Sequence, residues 1–260
     1  MTVLELMKKV AGENFQTEGT VDCFKFGDTE REAKKVVTCL TATADVIRKA
    51  VEYGADLIIS HEPTYYQHTD EIEENSVVVS KKVALVKEAN IPICRFHDYM
   101  HWTGDMISAG FLKAMGWEDK GEFDGHCGFT LSEPKSPLEI AGEVEEKLDI
   151  KHVRIVGARE GAVTKIGLFL GHRGNESWGK LVDGDVELAL GGEWCEWRDG
   201  ERVRDCAQFG LQKTALMLGH AASERAAMAI LADSINESFK AEGIEALYIE
   251  CGELFTYLDS

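Results

Sequence analysis

Gly54-Ala-Asp-Leu-Ile-Ile-Ser-His-Glu-Pro63 is the stretch on which the reading of this chain turns. Asp56–Ser60 is a short apolar run of strand type, with Gly54 before it and Pro63 after it. His61 and Glu62 stand at its carboxyl end, the end at which open α/β sheets bind ligands. Pro63 stops any regular continuation and biases Glu62 toward an extended backbone. Two adjacent donors held that way can diverge toward two metal ions.

The same grammar continues on both sides. Lys35–Leu40 reads as a buried strand, and Ala44–Tyr53 follows with helical spacing up to Gly54. Val77–Ala89 reads as a helix and Ile91–Phe96 as the next strand. His97–His101 come directly after it, and Asp105–Met115 is helical up to Gly116. Strand–helix alternation of this kind predicts an α/β layered fold with largely parallel strands.

Further on, Pro137–Leu148 is a helix with Ser136 as its cap and Glu139 three residues later. His152–Val156, Lys165–Leu170, Val186–Leu190, Thr214–Leu218 and Ala246–Glu250 read as strands. Gly171-His-Arg-Gly-Asn175 reads as a glycine-rich loop, and Ser223–Ala241 as a long helix capped by Ser223. Gly54–Glu62 is similar to Gly184–Glu193, a hint of two related α/β halves. We expect a main α/β metal-binding domain from residues 1–120 and 205–260, with residues 121–204 as a second α/β portion.

Bulk properties narrow the partners. The 260 residues carry a formal net charge of −18, which repels phosphate backbones and anionic lipid heads. The tightest basic run is Arg202–Arg204, so neither nucleic acid nor a membrane surface is an expected partner. The 7 cysteines are odd in number and lack Cys-x-x-Cys spacing, which argues against a disulfide framework or a four-cysteine zinc site. Scattered free thiols suit a reducing cytoplasm. The first ten residues read as an amphipathic helix too charged for a secretory segment. No apolar run approaches the roughly 20 residues that span a bilayer. The expectation is a cytoplasmic protein.

Three segments concentrate nitrogen and oxygen donors at strand-to-helix junctions. His61-Glu62 is the first; its plain alternative is a surface pair in a loop. In His97-Asp-Tyr-Met-His101 the histidines are four apart, so a helical turn would bring both rings to one face. The alternative is a helix start with ordinary histidines. In Gly219-His-Ala-Ala-Ser-Glu224, His220 and Glu224 are again four apart, with small residues leaving room between them. Here the rival role for Glu224 is an interaction with the helix dipole. Imidazole and carboxylate donors suit zinc, iron or manganese. The absence of cysteine from all three segments points to hydrolysis rather than to a structural zinc.

With these segments in place, the chain resembles the NIF-three-like family of dinuclear-metal hexameric proteins, also called type 2 GTP cyclohydrolase I. Ala55–Pro63 looks like the family's Ala-Asp-Leu-Ile-Ile-x-His-His-Pro. His97–His101 is similar to a segment reading His-Thr-Asn-Leu-Asp, and Gly219–Glu224 to Gly-His-Tyr-Ala-Thr-Glu. Gly191-Gly-Glu193 looks like Thr-Gly-Glu, and Leu4–Lys9 and Leu247–Cys251 also fall in place. The resemblance implies two divalent metal ions per chain, with ligands His61, Glu62, His101, His220 and Glu224. Glu62 stands where the family has its second histidine, and His101 where it has an aspartate. The exchange keeps three histidines and two carboxylates, so the formal ligand charge is unchanged.

The resemblance also implies a NIF-three-like fold of two related α/β halves with mixed sheets, and a toroidal homohexamer. The expected activity is metal-dependent hydrolysis by a metal-activated water, with GTP cyclohydrolase-like chemistry on a nucleotide as one form of it. His97 and Glu62 are the expected catalytic residues, His97 as the group that moves protons or, alternatively, as a sixth metal ligand. His172, Glu193, Trp194 and Trp197 are candidate pocket residues. No Walker-type phosphate loop is present. The alternative function is a non-catalytic metal-binding scaffold or regulatory interaction protein.

Overall fold

The computed structural model describes residues 1–12, 15, 16 and 18–258. Along the chain run α1 (Val3–Ala11), β1 (Phe24–Phe26), β2 (Lys35–Cys39), α2 (Ala44–Tyr53), β3 (Leu57–Ser60), α3 (Val77–Ala89), β4 (Ile93–Arg95), α4 (Asp98–Trp102) and α5 (Met106–Met115). They are followed by β5 (Gly121–Phe123), β6 (Gly128–Lys135), α6 (Pro137–Leu148), β7 (Arg154–Gly157), β8 (Val163–Phe169) and α7 (Gly174–Asp183). The last are β9 (Leu188–Gly191), α8 (Glu201–Gln208), β10 (Thr214–Met217), α9 (His220–Ser238) and β11 (Glu245–Tyr248). The elements divide into two compact units, Met1–Thr103 with Met228–Ser260, and Gly104–Ala227.

In the first unit the sheet order is β1-β4-β3-β2-β11. The four strands β4, β3, β2 and β11 are parallel, and β1 joins the edge antiparallel to β4. Side chains alternate across such a sheet. Val37 and Cys39 face a core with Val46, Ile47 and Ala50 of α2 and Val79 and Val86 of α3. On the opposite face, the Thr38 hydroxyl donates to the Met228 carbonyl of α9 at 2.7 Å. β3 is buried along its whole length, as expected of an apolar strand in the middle of a parallel sheet.

In the second unit the order is β5-β6-β8-β9-β10-β7. β8, β9 and β10 are parallel, while β5, β6 and β7 are antiparallel to their neighbours. Both sheets are therefore mixed, and the α/β class read from the sequence holds. Phe169, Trp178, Leu181, Ala189, Val203, Ala215 and Met217 form a core between the strands and α7 and α8. The Ser136–Glu139 capping box is present at α6, with both reciprocal bonds made.

Most strands shift by one or two residues at their ends, and two boundaries near the candidate site differ in a way that matters. The glycine-rich loop is shorter, because α7 already begins at Gly174. The long helix begins at His220, three residues before Ser223, so Ser223 is not its cap. Instead the Ser223 hydroxyl donates back to the His220 carbonyl at 2.8 Å and accepts the Gly171 amide at 3.0 Å. A hydroxyl with an acceptor one turn behind it gains nothing by ending the helix.

Candidate metal centre

In the first unit, bonds that outrun the strands position His61 and Glu62. Beyond the end of β3, the His61 amide donates to the Cys39 carbonyl at 3.2 Å and the Glu62 amide to the Leu40 carbonyl at 2.8 Å. The Ser60 hydroxyl donates to the Glu62 carbonyl at 2.9 Å. The fully buried Arg95 donates its Nε to the His61 carbonyl at 3.2 Å and its Nη1 to the His68 carbonyl. Arg95 also stands 4.0 Å from Asp70, which pairs with Lys25 at 3.7 Å and accepts the Tyr65 amide at 2.7 Å. A buried guanidinium is costly unless paired and hydrogen-bonded. Here those partners fold the segment after His61 back around it.

His61 is fully buried, and its Nδ1 lies 3.1 Å from the Phe96 carbonyl. A carbonyl only accepts, so Nδ1 donates to it, and a metal would be met by Nε2. His97 repeats the arrangement, with its Nδ1 2.9 Å from Asp98 Oδ1. Burial raises the Asp98 pKa, but hydrogen bonds from the Val21 amide, His97 and Thr20 outweigh it and hold the group below the usual carboxylate range. His101 lies one turn on in α4, as the i,i+4 spacing predicts. Ring centroids are 4.6 Å apart for His61 and His97, 5.3 Å for His61 and His101, and 4.8 Å for His97 and His101. One ring nitrogen from each of the three lies within 4.8 Å of the others, and a Glu62 oxygen lies within the same distance of a His61 ring nitrogen.

The second unit builds its donors differently. Gly192 donates to the Phe169 carbonyl at 3.2 Å and Glu193 to the Gly171 carbonyl at 2.9 Å, so the segments after β8 and β9 run side by side. A Cβ on Gly171, whose φ is +60°, would collide with the Glu224 carboxylate. The glycine thus provides the space that Glu224 fills. Glu224 is buried at 3% exposure and falls beyond the first turn of α9, which removes the helix-dipole explanation for it. His220 Nδ1 lies 3.0 Å from Glu193 Oε1, and its Nε2 lies 3.2 Å from Glu224 Oε2.

These donors fit a divalent metal. A metal-binding histidine usually has its other ring nitrogen held by a carbonyl or carboxylate. His61, His97 and His220 each have an Nδ1 so held. Two atoms bound tetrahedrally to one zinc at about 2.0–2.2 Å stand roughly 3.3–3.6 Å apart, close to the His220–Glu224 separation of 3.2 Å. The cysteines take no part. Burial pushes the Cys39 thiol up to about 12 and Cys94 well above its usual value, so both stay protonated at neutral pH.

The structure brings His61, Glu62, His97 and His101 together in one unit, and His220, Glu224 and Glu193 in the other. His172 is exposed on its loop. Trp194 packs on Trp178 at 4.8 Å, whereas Trp197 is largely exposed. Sequence reasoning missed Asp22, Arg95 and His68, whose ring meets His97 edge-on at 5.9 Å. Their partners are remote in sequence, so no short spacing could signal them.

Comparison with known proteins agrees with this architecture. Curated relatives include proteins from Clostridium perfringens, 24% identical with 81% of each chain covered, and Archaeoglobus fulgidus, 24% identical with 93% of this chain and 89% of the relative covered. Both carry the name GTP cyclohydrolase 1 type 2 homolog. Crystal structures of a Staphylococcus aureus protein (16% identity, 99% of each chain, TM-score 0.78) and a Bacillus cereus protein related to NIF3 (14%, 98% of each, 0.78) share the fold. A family model matches residues 2–252, nearly the whole described chain, and on that match the protein belongs to the Duf34/NIF3 (NGG1p interacting factor 3) family.

Proposed function

We propose that this protein is a metal-dependent hydrolase with a dinuclear centre, its ligands being His61, Glu62, His101, His220 and Glu224. The observation that supports it most directly is the engagement of Nδ1 in both His61 and His97, which orients each ring so that Nε2 is the atom that would meet a metal or a proton. The joint use of donors from the two units rests on the resemblance in sequence. A divalent metal held there supplies Lewis acidity and lowers the pKa of a water toward neutrality.

The chain's own residues do the rest. Asp98 keeps the His97 Nδ1 proton in place, so His97 takes up and returns a proton at Nε2. Glu193 does the same service for His220, which orients its Nε2. Glu62 contributes a carboxylate beside His61, where it supplies negative charge to balance a cation. Zinc, iron and manganese all accept this donor set. The names of the curated relatives make a nucleotide such as GTP the first substrate to try. We also propose a homohexameric assembly, checked by light scattering of the purified chain.

The experiment is elemental analysis of untagged protein beside Glu62→Ala and His220→Ala, followed by a hydrolase substrate panel. About two metals per chain, falling in both variants, with a rate lost in His220→Ala, supports the reading. Metal-dependent assembly with no turnover would favour a scaffold role. Absence of metal after supplementation with zinc, iron and manganese would overturn the proposal.

A further inference from the structure

Helix α4 carries His101 and begins directly after His97, yet it is only five residues long and its N-cap residue, His97, makes no side-chain cap bond. A helix this short does not hold itself together, since nucleation costs more than one turn returns. Its opening amides must find acceptors elsewhere. They find them in Asp22, a buried residue at 2% exposure. Asp22 Oδ1 accepts from the His97 amide at 2.5 Å and the Asp98 amide at 3.0 Å, and Oδ2 accepts from the Tyr99 amide at 2.8 Å. The exchange is reciprocal. Asp98 Oδ2 accepts from the Val21 amide at 3.0 Å and the Thr20 hydroxyl at 3.1 Å, while Asp98 Oδ1 holds His97 Nδ1.

Topology explains why a residue so distant in sequence arrives there. β1 is antiparallel to β4, so the chain entering β1 lies beside the chain leaving β4, where the histidines begin. The strand pair is already closed without Asp22, by the Phe24–Cys94 register and the Arg95 amide on the Cys23 carbonyl at 2.9 Å. The carboxylate's three recorded bonds go instead to the first amides of α4.

We propose that Asp22 is a positioning residue for the metal centre: its carboxylate, clamped on the opening amides of α4, sets where His97 and His101 stand relative to His61. This rests on the metal-binding reading for its consequence, though not for its geometry. The His61 backbone is held independently of Asp22, by the end of β3 and by Arg95. Loss of the Asp22 carboxylate therefore releases His97 and His101 while leaving the His61 backbone in place.

The test compares the full chain with Asp22→Ala, Asp22→Asn and the control Ser136→Ala, which removes a helix cap in the second unit. Zinc affinity is read by chelator competition at a temperature where every variant is folded, and amide hydrogen exchange is read on the metal-free chain. Asp22→Ala should weaken zinc binding by about 10–100-fold, the range seen when an outer partner of a ligand is removed. Its exchange should quicken across residues 96–103. Asn keeps one acceptor oxygen, so Asp22→Asn should recover part of both effects, and Ser136→Ala should change neither. Unchanged zinc affinity with unchanged exchange over 96–103 in folded Asp22→Ala would overturn the proposal. So would a loss of affinity matched by Ser136→Ala. If the parent chain binds no zinc, the metal reading fails, and hydrogen exchange alone still decides the clamp: faster over 96–103 in Asp22→Ala upholds it, unchanged refutes it.

Discussion

The two units handle imidazole in different ways. In the first, two histidine rings gather around a fully buried His61, and the Nδ1 atoms of His61 and His97 are held by a backbone carbonyl and an aspartate. In the second, one partly exposed His220 stands between two carboxylates, Glu193 on Nδ1 and Glu224 on Nε2. The first arrangement is rich in nitrogen donors, with the His61 ring fully buried. The second is rich in negative charge and held by backbone shape, through the space at Gly171. Imidazole nitrogens suit borderline metals and carboxylates suit harder ones, so the two sets of donors differ in the ions they favour.

The comparison breaks most sharply at the proposed ligands. His61→Ala should weaken zinc binding by more than about 100-fold, above the range for outer-partner losses, and by more than His220→Ala does. Equal losses in a chelator titration would mean that the buried cluster has no special standing. Next comes Gly171→Ala. Its left-handed backbone alone costs roughly 1–2 kcal/mol with a side chain present, and the added methyl must displace Glu224. Both the melting temperature and metal content should fall, whereas a normal metal content would show that Glu224 is not needed where it stands.

A subtler contrast concerns the partners on Nδ1. Glu193→Gln keeps an acceptor for His220 and removes a charge, so zinc affinity should drop by about 10-fold. His97→Gln, if His97 moves protons rather than binding metal, should leave the metal content unchanged and lower turnover by about 10²-fold or more. A loss of metal in His97→Gln would instead make the first unit a three-histidine site.

The smallest effect is in pH dependence, where both groups make stability rise with pH, one by relieving a penalty in the alkaline range and the other by adding a gain in the acid range. In the first unit, burial lowers the Lys82 pKa to about 8. Between that value and its ordinary one the unfolded chain binds more protons, so stability rises with pH across that window, and the penalty is full below it. Lys82→Met should therefore raise the melting temperature by a few degrees at pH 7, with the gain shrinking as pH rises toward 10. In the second unit, burial raises the Glu187 pKa, but bonds from the Lys165 amide and from the Thr164 amide and hydroxyl outweigh it and lower the group overall. Its contribution is present above the ordinary glutamate value and is lost as pH falls through its folded value. Glu187→Gln should flatten the acid limb of a melting curve while leaving the alkaline limb alone.

Much of this molecule is legible along the chain. Ala44–Tyr53, Val77–Ala89 and Pro137–Leu148 are helices over the predicted residues, because spacing, a capping hydroxyl and a glycine or other left-handed stop all act within a few positions. The His97–His101 spacing foretold rings on one helical face for the same reason. Reading failed at Ser223, where a good cap residue lies inside the helix because Gly171, remote in sequence, offers its amide.

The sequence by itself determined the α/β class, the strand ends that carry His61, His97 and His220, and the family. These depend on local periodicity and on short motifs. Only the tertiary structure decided what holds those donors: Asp22 on the opening amides of α4, Arg95 beneath His61, and the empty side of Gly171 that admits Glu224. Each is a contact between segments far apart in the chain. Hydrogen bonds and excluded volume act over a few ångströms of space, and the order of residues reports that space only where the backbone is regular.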